Sequence, residues 1–118
     1  MKLERELMRG AGPTAVLALL SSGERYGYEL VEQLDRRTDG TLAMGQSTVY
    51  PMLYNLEAKG LIKGEDRAAP NGRRRRYYRL TGKGTKKLAA EKKQWTSLAG
   101  ALEKLGVIGT PEPARVVL

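Results

Sequence analysis

For most of its length this chain sets its apolar side chains three and four residues apart, the spacing of amphipathic helices, and between residues 61 and 80 the period changes to that of strands. Leu3 and Leu7 predict a short helix over Lys2–Met8. The run Gly10-Ala11-Gly12-Pro13 predicts a break, with Pro13 opening a second helix that ends near Ser21, because the first turn leaves unused the donor that proline lacks. That second helix is apolar nearly all round, which predicts burial, and Gly23 is its natural stop. From Tyr26 to Thr38, the residues Gly27, Leu30, Val31 and Leu34 share one face, and a glycine there lets another helix come close. After the Asp39-Gly40 turn, Val49, Met52, Leu53 and Leu56 repeat the rule, and Gly60 closes the helix. Gly45 is the preferred N-cap, which puts Pro51 in the second turn at the loss of one backbone hydrogen bond; Ser47 is the alternative cap.

Leu61–Ala68 and Arg73–Leu80 read as short strands around Pro70-Asn71-Gly72, where Asn-Gly is a strong hairpin signal. In the second strand Arg76, Tyr78 and Leu80 share one face and Arg75, Tyr77 and Arg79 the other, so one can pack while the other meets solvent or phosphate. Thr81 then caps a helix running to about Leu105, about 36 Å long by the standard rise. The last stretch, VIGTPEPARVVL, has no rhythm and reads as a flexible tail. After the short N-terminal helix, three helices, a hairpin and a long helix are the order of a winged helix-turn-helix with a C-terminal extension, a mainly α fold with a small β-hairpin. The expected units are residues 1–80, the C-terminal helix at 81–106 and the tail at 107–118.

Charge narrows the partner. Lys and Arg outnumber Asp and Glu by 21 to 13, for a formal net charge of +8, which favours a polyanion. From Lys63 to Lys93 twelve basic residues stand against Glu65, Asp66 and Glu91, leaving nine basic against ten acidic elsewhere, so the charge is a local patch. With no Cys and no His there is no thiol nucleophile, imidazole base, disulfide or ordinary zinc site, and no cofactor is expected. Ser, Lys and carboxylates are present in no spacing that assembles a catalytic site. The most apolar run, Pro13–Leu20, is too short to span a bilayer, and the Met1 end lacks a signal-peptide pattern, so the expected location is the cytoplasm with no membrane partner.

Three segments, RYGYELVEQL (Arg25 to Leu34), STVYPMLYNLEAKGLI (Ser47 to Ile62) and RRRRYYRLTGKG (Arg73 to Gly84), together resemble the PadR-like transcriptional regulators over about residues 10 to 105. The resemblance implies a dimeric winged-helix DNA binder, commonly a repressor, whose short members dimerise through the C-terminal helix and in some cases respond to phenolic or other aromatic ligands. In such a helix-turn-helix the N-terminal residues of the second helix meet base edges while its opposite face packs on the first helix. Gln46, Ser47, Thr48, Tyr50 and Asn55 would then face double-stranded DNA. Arg73, Arg74, Arg75, Arg76 and Tyr77 would bind its backbone. One departure is Tyr54-Asn55, which stands where a basic pair is commoner in the family, and this shifts backbone affinity toward the wing.

Each of these residues also has a plainer reading. Tyr50 and Tyr54 can cap the core with wet hydroxyls, Ser47 and Thr48 can only cap the helix, and the arginine run can guard a strand edge against aggregation. Counting Leu88 as a heptad a position puts Trp95 and Leu102 at a and Leu98 and Leu105 at d, a short seam that predicts a homodimer, with Leu3 and Leu7 adding to it and Glu91 interrupting it. Trp95 is either an anchor in that dimer core or a wall against which a planar aromatic effector stacks. A basic winged helix bound to RNA or the ribosome is the alternative to a DNA-binding regulator, and a protein-interaction module is a third reading that leaves the arginine run unexplained.

Overall fold

The computed structural model describes residues 1–109, so the expected flexible tail lies outside the described residues from position 110 onward. Helix α1 (Arg5–Ser21) leads through a two-residue strand β1 (Arg25–Tyr26) into α2 (Gly27–Arg36). Helix α3 (Gln46–Ala58), the hairpin strands β2 (Ile62–Ala68) and β3 (Arg74–Leu80), and the long helix α4 (Gly82–Lys104) follow. This is the winged helix-turn-helix with its C-terminal extension.

Two elements differ from expectation. The break at Gly10–Pro13 does not occur, and α1 runs straight through Pro13. An interior proline removes one hydrogen bond, here the one to the Arg9 carbonyl. Packing holds the two halves in line: a Cβ on Gly12 would come within 2.8 Å of the Met52 side chain, and Trp95 lies beside Gly10. The glycines thus admit neighbouring side chains instead of ending the helix. The second difference is β1, which turns the expected two-stranded hairpin into a three-stranded antiparallel sheet of order β1-β3-β2. Arg25 and Tyr26 pair with Tyr78 and Tyr77, so Tyr26 belongs to the sheet and α2 begins one residue later. Glu29 then reaches back to accept a hydrogen bond from the Tyr26 amide at 3.3 Å.

The core is formed by Val16, Leu17 and Leu20 of α1, Leu30 and Leu34 of α2, Val49, Leu53 and Leu56 of α3, with Ile62, Tyr78 and Leu88 closing it from the hairpin and α4. The periodic positions of α3 are therefore inside, and Met52 is half-buried beside them. Gly27 is buried where the Tyr50 ring crosses α2, and a Cβ there would meet that ring at 2.5 Å. Gly60, at φ 75°, ends α3 in the left-handed conformation that glycine adopts without strain, and the Leu61 amide returns to the Leu56 carbonyl at 3.0 Å.

The root of α4 is bonded to that same turn. Thr81 caps the helix by accepting from the Gly84 amide at 3.0 Å, an interaction worth about 1 kcal/mol, and its hydroxyl donates to the Gly60 carbonyl at 2.6 Å. Lys83 Nζ donates to the Lys59 carbonyl at 2.9 Å. Gly84 is buried so tightly that a Cβ would overlap the Leu61 carbonyl oxygen, which puts the two backbones in direct contact.

Candidate nucleic-acid interface

The outer face of α3 is polar and unengaged. Gly45 is its N-cap and offers no side chain; its carbonyl accepts from the Thr48 and Val49 amides, both at 3.0 Å. Ser47 and Thr48 are therefore not needed as caps. Both are exposed, as are Gln46 and Asn55, and none of the four makes a side-chain hydrogen bond among the described residues. Pro51, on the same helix, has no N–H for the Ser47 carbonyl. Tyr54 is 73% exposed, so it caps nothing, and it joins this face although the spacing alone leaves it undecided. Tyr50 behaves differently: it is half-buried, and its ring packs on Gly27.

Beside this face lies a groove of about 600 Å³, walled by Tyr26 and Tyr28 at the start of α2, by Tyr50, and by Arg73–Arg76 of the wing. The four arginines do different things. Arg73 and Arg74 are exposed and form no ion pair among the described residues. Arg75 lies over the Tyr26 ring with its Cζ 4.3 Å from the centroid, a cation–π contact that leaves its edge donors free. Arg76 is engaged internally: it donates to Glu57 at 2.8 Å and to Asp66, its cross-strand partner, at 3.2 Å. The hydrogen bond to Asp66, with Glu57 adding to it, binds the Arg76 proton more firmly than usual. Pairs as exposed as these contribute only about 0.2–1 kcal/mol each, so their geometry matters more than their energy.

The two faces of β3 divide as the alternation predicts. Tyr78 is buried, and that burial raises its phenol above the usual range. On the other face Tyr77 stands edge-on to Tyr26, ring centres 5.9 Å apart, and carries Arg67 at 4.3 Å. Arg67 in turn pairs with Glu24, whose carboxyl that hydrogen bond holds below its usual range. Glu57, Arg67, Tyr26 and Tyr28 escape a reading by period, because their roles depend on which distant strand or helix end lies beside them.

The C-terminal seam is partly used within the protomer. Leu88 is in the core. Trp95 is half-buried against α1, its indole N–H donating to Thr14 Oγ1 at 3.3 Å, while the Thr14 hydroxyl reaches Glu91 at 3.4 Å. Beyond it Leu98 (48%) and Leu105 (78%) are open to solvent, with Leu7 of α1 also exposed. Among the described residues no helix is long and apolar enough to cross a membrane.

The sequence and the fold are both similar to those of known proteins. The chain is 34% identical over 95 residues to the transcriptional regulator Rv3488 of Mycobacterium tuberculosis, spanning 80% of this chain and 85% of that one. Its fold matches a transcriptional regulator from Clostridium thermocellum with a TM-score of 0.77 at 30% identity, covering 85% of this chain and 97% of the other. A PadR family transcriptional regulator from Eggerthella lenta matches with a TM-score of 0.74 at 33% identity, covering 85% of each. The description "Transcriptional regulator PadR-like family" fits residues 16–90, well over half the chain. This protein belongs to the PadR-like family of transcriptional regulators.

Proposed function

We propose that the chain is a homodimeric repressor, located in the cytoplasm, that reads a pseudo-palindromic DNA operator and works by binding rather than catalysis. The observation that carries this is the set of exposed, unbonded polar side chains at the start of α3, next to a wing whose Arg73 and Arg74 are unpaired among the described residues. Amide and hydroxyl groups in that position suit base edges, and free guanidinium groups suit phosphates. Gln46, Ser47, Thr48 and Asn55 are the readers in this proposal. Tyr50 walls the groove, and Arg73, Arg74, Arg75 and Tyr77 hold the backbone. Selection of bound duplexes from a random library tests it directly. The expected result is an inverted repeat whose half-site centres lie about one helical turn apart. No enrichment over the starting pool, or equal binding to duplex RNA, would count against it.

The homodimer also bears on Trp95. If the seam lies on a two-fold axis, the half-buried indole approaches its copy, and two aromatic faces can hold a planar molecule between them. Such an effector changes operator affinity only by binding one dimer arrangement better than another. Flat cationic drugs and phenolic acids are expected to quench Trp95 fluorescence and shift operator affinity. An unchanged response in Trp95→Ala that keeps the dimer would leave Trp95 as a packing residue on Thr14.

A further inference from the structure

We propose that Glu57 and Arg76 form a positioning clamp, in which one carboxylate at the end of α3 holds both strands of the wing and so sets where the wing arginines fall relative to the bases that α3 meets. The inference rests on the proposed DNA-binding face and assigns Arg76 to positioning instead of phosphate contact.

The geometry is specific. Glu57 Oε2 accepts from Arg76 of β3 at 2.8 Å and from the Gly64 amide of β2 at 3.2 Å. Strand β2 is at the edge of the sheet, where an amide facing away from β3 has no strand to bond to. Glu57 supplies that partner for Gly64. Gly64 also makes room for the clamp, since a Cβ there would come within 2.5 Å of Arg76 Nε and within 2.8 Å of its Cζ. Asp66 holds the other side of the guanidinium at 3.2 Å, and the Tyr78 ring lies 5.8 Å beneath it. Both terminal nitrogens of Arg76 are thus occupied by carboxylates, the two groups a phosphate would have to displace.

Charge makes the idea sharply testable. Glu57 is an acid on a surface proposed to meet a polyanion, so on charge alone its removal strengthens DNA binding. If the clamp positions the wing, its removal weakens operator binding instead. The variants are Glu57→Met and Arg76→Met, which keep bulk without the polar contact, their double variant, and Arg76→Lys. Expected is a loss of operator affinity of about ten-fold, the scale of one good base contact, in each single variant. The double variant should be no worse than either single one, and Arg76→Lys should recover part of the loss. The salt dependence of binding should stay as in the parent, because no phosphate ligand is removed. Operator binding by Glu57→Met that equals or exceeds the parent overturns the clamp. So does a flatter salt slope in Arg76→Met, which would make Arg76 a phosphate ligand.

A second measurement stands apart from DNA. Amide exchange at Gly64 in the free protein should accelerate in both single variants while the core amides of Leu53 and Leu30 stay protected. Unchanged Gly64 exchange overturns the clamp. A parent chain that shows no operator preference counts against the proposed function, and the exchange result then decides the clamp by itself.

Discussion

Replacing Arg74 and Arg75 together by Gln is expected to weaken binding to every duplex by a similar factor and to flatten its dependence on salt. Each phosphate that goes unneutralised takes about 0.9 off the slope of log affinity against log salt, so a dimer without these four guanidinium groups flattens by about 3.6. Arg74 is free to meet a phosphate, and Arg75 is held against Tyr26 with its donors outward. Gln46→Ala or Thr48→Ala should act in the opposite manner. Discrimination between operator and random DNA falls by about 1 to 3 kcal/mol, while the salt slope stays put. Titrations at several salt concentrations on both DNAs check this. Equal losses on both DNAs for every variant would refute base readout by α3.

Placing charge at the distal end of α4 is expected to convert a dimer into a monomer. Leu98 and Leu105 are exposed within the protomer, so Leu98→Asp with Leu105→Asp leaves the buried core untouched, yet it sets four carboxylates against an apolar seam in the proposed dimer. Cutting the chain before Trp95 should have the same effect on mass. It also strips α1 of its Trp95 neighbour and the Thr14 hydrogen bond, which makes the surface variant the cleaner test. Light scattering of the double Asp variant should return half the parent mass, with helical content unchanged. A dimer that survives both changes rules out α4 as its main interface.

The parts of this fold that are legible in the sequence are those decided locally. Val49, Leu53 and Leu56 lie inside because a 3.6-residue period allows them one face, and Gly45 and Gly60 bound their helix through backbone conformations that need no distant partner. The Asn-Gly turn and the alternation of β3 are legible for the same reason. What is not legible is set by residues far along the chain. Two residues cannot declare a period, so β1 exists only because β3, some fifty positions later, offers an open edge. Pro13 reads as a boundary until Trp95 and Met52 give its glycine neighbours a packing role. In the candidate site, Ser47 and Thr48 are left open because Gly45 supplies the cap, whereas the run Arg73–Arg76 reads as four equal charges. The carboxylates of Glu57 and Asp66, nineteen and ten residues before Arg76, separate the last of them from the rest.

The bonded root of α4 gives the molecule a mechanical property. Because Gly84 touches the Leu61 carbonyl, and Thr81 and Lys83 grip the turn at Lys59–Leu61, the long helix and the end of α3 have no soft joint between them. A helix of 23 residues is about 35 Å long, so a tilt of about 3° at its far end, where the seam residues lie, sweeps its near end by about 2 Å. In a two-fold pair that motion is doubled between the two copies of α3, which must stand about 34 Å apart to enter successive major grooves. In the proposed dimer α4 would thus be a stiff lever with its fulcrum at the seam and its load at the DNA, and small adjustments of helix packing there would be geared up into changes of grip.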